Sequence, residues 1–201
     1  LVMGTVVVAY VYFASIYLQR VLHFSPLVTG LCFIPATLTV MSTSTLLTRR
    51  LLSRMGVKPI LIAGLISIGL GQFWLSRVSS GGNYGVNVLP GLLFTAFGMG
   101  LAFPATSVGA ISGVAPNEQG SAAALFNTSQ QVGSAVGLSI LATIAAASAR
   151  GVGGTLAGGF RVSYLVGTGI AVLGIVLVTT MLSNKQCQLA LAVQSGTSHA
   201  A

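Results

Sequence analysis

Polar side chains lie in the middle of one long apolar stretch, at residues 119–147. Four of them are spaced i, i+3, i+4 and i+7, so on a helix they share one face. They are Asn127, Gln130, Gln131 and Ser134. Amides and hydroxyls donate and accept hydrogen bonds, and lipid can satisfy none of these bonds. The pattern therefore predicts either one wall of a substrate cavity or hydrogen bonds to a neighbouring helix.

Aromatic and sulfur-containing side chains offer a second kind of contact. Tyr10, Phe13 and Tyr17 recur at i, i+3 and i+7 in the first apolar stretch. Aromatic ring faces attract cations, so these residues are candidates for binding a cationic substrate. An aromatic belt that faces lipid or the membrane interface would give the same pattern. Met99 and Phe103 are candidates for the lining of a pocket for flat apolar molecules, although ordinary packing explains them as well.

The residue types of this chain offer little support for catalysis or metal binding. The only acid is Glu118, and both histidines, His23 and His199, lie outside the apolar stretches. Intramembrane proteolysis would need a serine with a histidine, or paired aspartates, within a span. The two cysteines, Cys32 and Cys187, fall on different elements and form no CxxC pair. We therefore predict that the chain is not an enzyme and has no metal site and no cofactor.

The composition is that of an integral membrane protein. Charged residues make up 5% of the chain and mean hydropathy is +0.93, whereas a soluble domain has about 25% charged residues. The net charge of +8 raises the alternative of a nucleic-acid partner. No basic stripe interleaved with aromatic residues exists, so we predict no nucleic-acid binding. The cations lie at the ends of apolar stretches, where anionic lipid headgroups favour them.

Six apolar stretches have about the length that a membrane-spanning helix needs. They predict an all-α membrane protein whose helices form one half-bundle, followed by a polar, disordered cytoplasmic tail at residues 183–201. The predicted helices cover approximately residues 1–18, 27–47, 59–75, 88–114, 119–147 and 161–182.

A cluster of four cations separates the second predicted span from the third. Its members are Arg49, Arg50, Arg54 and Lys58. Each would cost about 2.5–3.5 kcal/mol at the bilayer centre, so they mark a loop, and the positive-inside rule places that loop in the cytoplasm. Both ends of the segment then lie in the cytoplasm of a multi-pass protein of the cell membrane. The arginines are expected to set topology, or to latch one conformation by pairing with Glu118 or with acids elsewhere.

Proline and glycine residues interrupt the spans. Proline within a helix removes a hydrogen bond and permits bending, so it predicts either a hinge or a static kink. Glycine pairs allow close approach of helices. The hinge or close-packing candidates are Pro35, Gly98, Gly100, Pro104, Gly133 and Gly137.

Four strings stand in a characteristic order along the chain. They are YLQRVLHFSPLVTGLCFIP at 17–35, LLSRMGVKP at 51–59, LPGLLFTAFGMGLAFP at 89–104 and PNEQGSAAALFNTSQQVGSAVG at 116–137. Together they resemble signatures of the fourteen-helix drug/proton antiporters of the major facilitator superfamily. Three positions depart from those signatures: His23 replaces the usual Gly, Ser53 the usual Asp, and Gln130 a common Arg.

That resemblance implies that the chain is the C-terminal six-helix half of a transporter. Its two halves would rock about a central cavity and exchange amphipathic, often cationic, drugs for protons. The partners implied are the lipid bilayer, the drug, protons and the N-terminal half, which would carry the membrane-embedded coupling acids. A non-transporting remnant of a transporter gene remains open, and so does a six-helix channel or assembly protein, although no known selectivity-filter motif is present.

Overall fold

The computed structural model describes residues 2–77, 83–111, 114, 115, 117–150 and 156–181. Within these residues, six helical stretches are long and apolar enough to cross a membrane, which confirms the predicted fold class. We name them span 1 (Val2–Arg20), span 2 (Pro26–Met55), span 3 (Val57–Leu75), span 4 (Tyr84–Ile111), span 5 (Gln119–Ser148) and span 6 (Gly158–Thr180). The predicted tail at 183–201 lies outside the described residues.

The turn between spans 2 and 3 is shorter than the loop expected at residues 48–58. A helix, Arg49–Met55, carries the arginines, and the chain reverses at Gly56, where φ is 78°. Glycine adopts this left-handed conformation without the clash that a Cβ would cause. Arginine is a good helix former with a long side chain that reaches water from a buried backbone position, so the helix does not need to stop at the first cation.

The other helices also extend past their predicted limits. Span 5 belongs to a helix that runs over Gln119–Arg150, and span 6 to one that runs over Leu156–Met181. Span 4 begins with a π-helical turn, Tyr84–Val88, and continues as the α-helix Leu89–Ile111. Because residues such as Asn87, Gly158 and Gly159 interrupt the apolar runs, hydropathy ends where the backbone hydrogen bonding of the helix does not.

Spans 3 and 4 pack with their backbones almost in contact. A Cβ added at Gly71 would lie 2.6 Å from the backbone nitrogen of Thr95, and one at Gly98 would lie 2.8 Å from that of Ile68. Distances this short leave room only for glycine, which has no side chain. Spans 2 and 5 are the least enclosed, since only 17% and 22% of their apolar windows are buried, against 56% for span 1.

Proline residues in span 4 leave carbonyl groups that neighbouring spans satisfy. Pro104 has no N–H to donate to Gly100 O, and Thr48 Oγ1 of span 2 donates to that oxygen at 2.9 Å. Thr48 ends a π-helical segment, Thr43–Thr48, and a Cβ at Gly100 would lie 2.8 Å from Thr43 Cβ. The glycine therefore lets span 2 approach closely enough for the hydroxyl to reach the carbonyl.

Pro90 follows the same principle, and Pro35 of span 2 coincides with a break in its helix. Pro90 cannot donate to Val86 O, and Trp74 Nε1 of span 3 lies 3.4 Å from that oxygen. Span 2 is interrupted at Phe33, between the helices Pro26–Cys32 and Ile34–Ser42, two residues before Pro35. At this interruption Tyr84 Oη donates to Cys32 O at 2.6 Å. The break that Pro35 was expected to cause is present, and whether it moves is untested.

The Thr48 to Gly100 hydrogen bond predicts a specific rescue. Thr48→Val should lower the free energy of unfolding by about 1–3 kcal/mol, because it leaves a buried carbonyl unpaired. Adding Pro104→Ala restores an N–H donor within span 4 and should recover much of that loss. A double-mutant cycle of unfolding free energies, measured on the purified protein in detergent, would give the coupling.

Thr95→Val is the matched control for this cycle. Thr95 is also buried in span 4, but its Oγ1 donates to Gly91 O of its own helix at 2.8 Å. Removing that hydroxyl leaves Gly91 O paired with a backbone N–H of its own helix. Pro104→Ala should therefore not recover any stability that Thr95→Val loses. Additive effects of Thr48→Val and Pro104→Ala would contradict the assignment.

Candidate functional site

Four polar residues are predicted to share one face of span 5. Two of them lie at its interface with span 1, and the other two lie beside that interface. Asn127 and Gln131 are exposed, whereas Gln130 and Ser134 are half-buried. Ser134 Oγ lies 3.1 Å from Gly4 O of span 1 and 2.9 Å from Gln130 O. Ser134 therefore makes the hydrogen bond between helices that was the alternative to a cavity role. Asn127 and Gln131 keep the geometry that a cavity wall requires.

The exposed surface of span 5 divides into two stripes. One stripe is polar and contains Asn127, Thr128, Gln131 and Ser139. The other is mainly apolar and contains Leu125, Val132, Val136 and Ile140, each between 49% and 68% exposed, together with Thr143, whose hydroxyl donates to Ser139 O of its own helix at 2.8 Å. An apolar stripe suits lipid, whereas amide side chains in lipid would lack hydrogen-bond partners. The two sides of this helix are therefore built for different surroundings.

Gly133 and Gly137 form the contact between spans 5 and 1. Thr5 Oγ1 donates to Gly133 O at 2.8 Å. A Cβ added at Gly137 would overlap the Thr5 side chain. Gly98 and Gly100 likewise lie at close contacts of span 4, with spans 3 and 2 respectively. Gly98, Gly100 and Gly137 thus lie at close contacts between spans, and a functional role for them or for Gly133 stays a prediction.

The three aromatic residues of span 1 are buried inside the bundle. Tyr10, Phe13 and Tyr17 are at most 3% exposed. The Phe13 ring centroid lies 5.9 Å from that of Phe160 and 6.1 Å from that of Tyr164. The interpretation as a lipid-facing belt is wrong, because other spans cover these rings. A cation could reach them only if spans 1 and 6 separated, so their predicted role in a substrate cavity remains untested.

Met99 and Phe103 have different surroundings. Met99 is half-buried and packs against both hydrophobic clusters of the bundle. Phe103 is 44% exposed, and its ring meets that of Phe126 of span 5 edge-on at a centroid distance of 6.4 Å. Phe103 is thus placed where it could contact a ligand on the exposed side, whereas Met99 is placed as a packing residue.

The basic residues between spans 2 and 3 do not all have the same role. Arg50 and Arg54 are exposed, and only the backbone of Arg49 is described. Lys58 Nζ donates to Thr179 O, near the C-terminal end of span 6, at 3.2 Å. A cation there interacts favourably with the helix dipole. Glu118 is exposed and forms no ion pair within the described part of the chain, so it is not latched to Arg50 or Arg54.

An apolar cleft of about 530 Å³ opens at the same end of the bundle. Spans 1, 3, 4, 5 and 6 all contribute to its lining, and Gln130 supplies an amide. No protein hydrogen bond to that amide is found among the described residues. This cleft was not predicted from the sequence, although the small residues Gly109, Ala110 and Gly174 that line it interrupt runs of bulky residues.

Two polar side chains of the core were also not predicted from the sequence. Gln72 and Tyr164 are 1% and 2% exposed, and Gln72 Nε2 and Tyr164 Oη have no hydrogen-bond partner among the described residues. Gln72 packs over Gly167, where an added Cβ would lie 3.2 Å from Gln72 Oε1. An isolated amide within residues 59–75 was the available signal, because a glutamine in a span is expensive unless it has a role.

Comparison with known proteins identifies the family. The profile of the Major Facilitator Superfamily matches residues 1–138. The chain belongs to the major facilitator superfamily. The resemblance seen in the four strings is confirmed at this level, and with it a multi-pass membrane protein of the transporter class.

Three curated proteins illustrate where within the superfamily the chain falls. It is 34% identical over 134 residues to the puromycin resistance protein pur8 of Streptomyces alboniger. It is 28% identical over 171 residues to the cephamycin export protein CmcT of Amycolatopsis lactamdurans, and 32% over 131 residues to a multidrug resistance protein B homolog of Mycobacterium tuberculosis. These alignments cover 66%, 85% and 64% of this chain but only 27%, 35% and 24% of the relatives.

The contact between spans 1 and 5 gives a test of the packing in this superfamily member. Gly137→Ala should destabilise the protein by about 1–3 kcal/mol, because the new methyl group forces spans 1 and 5 apart. Gly30→Ala is the control, since a Cβ at Gly30 meets nothing within 4 Å. Thermal unfolding in detergent should separate the two variants clearly. Equal stabilities would show that the spans do not approach as described.

Proposed function

We propose that this chain forms the C-terminal six-span half of a drug exporter of the fourteen-helix type. The names of its relatives, which refer to puromycin resistance, cephamycin export and multidrug resistance, support this proposal. In it, the half moves against an N-terminal half and exposes a central cavity alternately to the two sides of the membrane. The transported molecules are small and amphipathic, and many are cationic.

The observation that carries the proposal is the exposed polar stripe of span 5. Asn127 and Gln131 face away from the other five spans, although the helix crosses the membrane. A water-filled cavity that opens between two halves would satisfy these amides and would let them bind polar groups of a substrate. Phe103, which is exposed on neighbouring span 4, adds an apolar contact for the remainder of an amphipathic molecule.

Span 2 offers the partner half a large apolar surface. Its exposed apolar side chains include Leu27, Leu31, Leu38, Met41 and Leu46, each at least 54% exposed. Together with span 5 it forms the least enclosed part of the bundle. We place the N-terminal half of the same transporter against these two spans, on the side to which the polar stripe of span 5 is directed.

Proton coupling is assigned to residues outside this chain. Glu118, the chain's only acid, is exposed just before the helix of span 5 begins, so no carboxyl group lies within a described span. A carboxyl group that exchanges protons during transport must be reachable from the central cavity. The coupling acids therefore belong to the N-terminal half.

Substitutions in the polar stripe test the cavity assignment. Asn127→Leu or Gln131→Leu in the full-length transporter should change which drugs are exported, because each removes an amide from the cavity wall. Resistance profiles against a panel of drugs would report this change at matched protein levels. Val132→Leu is the control, since this neighbouring residue is 49% exposed in the apolar stripe. Unaltered profiles for both amide variants would refute the assignment.

The orientation in the cell membrane can be tested with single cysteines. In a cysteine-free background, Gln19→Cys should react with a membrane-impermeant maleimide added to intact cells, and Ser53→Cys only after permeabilisation. Both positions are exposed and lie at opposite ends of the bundle. The positive-inside rule places the Ser53 turn in the cytoplasm. The reverse labelling pattern would invert the proposed topology.

A further inference from the structure

The apolar cleft has a cation fixed at its end. Val57 and Val178 line the cleft, and the residues that follow them in the chain, Lys58 and Thr179, form the hydrogen bond between spans 3 and 6. This bond holds the Lys58 ammonium group next to residues that line the cleft on both spans. Arg50 and Arg54 are exposed at the same end of the bundle, so the surroundings of the opening are strongly positive.

The interior of the cleft is suited to a hydrocarbon chain. One wall is formed by Val57, Leu61 and Leu65, which follow one another by one helical turn each. Eight residues of helix correspond to a depth of about 12 Å measured from the charged end. Leu177 contributes to the opposite side, and Ala110 and other small residues leave the space open. The cleft therefore extends from the level of the charged groups towards the membrane interior.

These two features specify an amphiphile with a negatively charged head. A cationic molecule would be repelled by Lys58 and the arginines, and a neutral one would gain nothing from them. We propose that the cleft binds one anionic phospholipid, with an acyl chain along Leu61 and Leu65 and its phosphate group at Lys58. Basic pockets between spans are known to favour anionic headgroups on physical grounds.

The bound lipid joins helices that otherwise touch little at this end. The acyl chain lies between span 3 on one side and Phe126 of span 5 on the other, away from Gln130, which is one of the polar residues of the lining. It thereby fills space that packed side chains do not fill. This role is independent of the transported substrate and of the direction of transport, so it stands or falls separately from the exporter assignment.

Lipid binding can be measured directly on the purified full-length protein. After removal of endogenous lipid, phosphatidylglycerol or phosphatidylcholine with identical acyl chains is titrated, and bound lipid is counted by native mass spectrometry. We expect one tightly bound phosphatidylglycerol and weaker binding of phosphatidylcholine. Lys58→Gln should weaken phosphatidylglycerol binding about fivefold, as expected for one cation near an anionic lipid, and leave phosphatidylcholine unchanged.

Matched variants separate the cleft from the rest of the surface. Arg54→Gln removes a cation of the same turn whose neighbours in the chain do not line the cleft, so it should weaken phosphatidylglycerol binding much less than Lys58→Gln does. Ala110→Phe fills the cleft and should weaken both lipids. Ala63→Phe adds the same bulk at an exposed position of span 3 outside the cleft, and should weaken neither. If Ala110→Phe does not fold, Ala110→Leu gives the same comparison with less added volume.

Three outcomes would overturn the proposal. The first is equal affinity for the two lipids, and the second is phosphatidylglycerol binding that Lys58→Gln and Ala110→Phe leave unaltered. The third is binding of tetraphenylphosphonium, an apolar cation, that Ala110→Phe abolishes while phosphatidylglycerol binding persists. That result would make the cleft a small-molecule pocket.

Discussion

Hydrocarbon offers no hydrogen bonds to a polypeptide backbone, and this constraint governs how the six spans fit together. Wherever a proline removes a donor from span 4, a side chain of another span lies at the freed carbonyl. Thr48 serves Gly100 O and Trp74 serves Val86 O. A donor must reach one particular oxygen, so each bond fixes the register of two helices as well as their distance. The prolines thus specify neighbours instead of only weakening a helix.

Glycine makes this arrangement possible. Between helices in lipid there is little hydrophobic driving force, so close backbone approach and interhelical hydrogen bonds decide which faces meet. The Thr5 to Gly133 bond exists because Gly137, one turn further, lets the threonine side chain come close. Gly100 does the same for Thr43 and Thr48 of span 2. Small residues and hydroxyl groups therefore act as pairs, and neither alone would position the helices.

The sequence was sufficient to predict the number and approximate position of the spans, because a bilayer requires long apolar runs and cations mark their ends. It did not predict where the helices stop, since Arg50 and Arg54 continue a helix that hydropathy ends at Leu47. Periodicity placed Asn127 and Ser134 on one face, as found. It could not reveal that span 1 covers the Ser134 side of that face, because this depends on a helix more than a hundred residues away.

The aromatic residues of span 1 show a limit of sequence-based prediction that is specific to membrane proteins. In water, a stripe of Tyr10 and Phe13 would be assigned to the interior, since apolar side chains avoid solvent. In a bilayer both the lipid and the protein interior are apolar, so hydrophobicity does not distinguish the two directions. The direction of such a side chain is decided only by the residues that pack against it, which for Phe13 are Phe160 and Tyr164 of span 6.

Polar residues do not share this ambiguity, which is why span 5 is more informative about the surroundings of the bundle than span 2. The exposed leucines of span 2 are equally compatible with lipid and with protein. Asn127 and Gln131 are not, because burying an amide without a partner costs about 2–7 kcal/mol, depending on the reference medium. Val132 and Val136, on the other exposed stripe of the same helix, carry no such penalty in lipid. In the proposed function, the boundary between lipid and the remainder of the transporter therefore runs along span 5, between these two stripes.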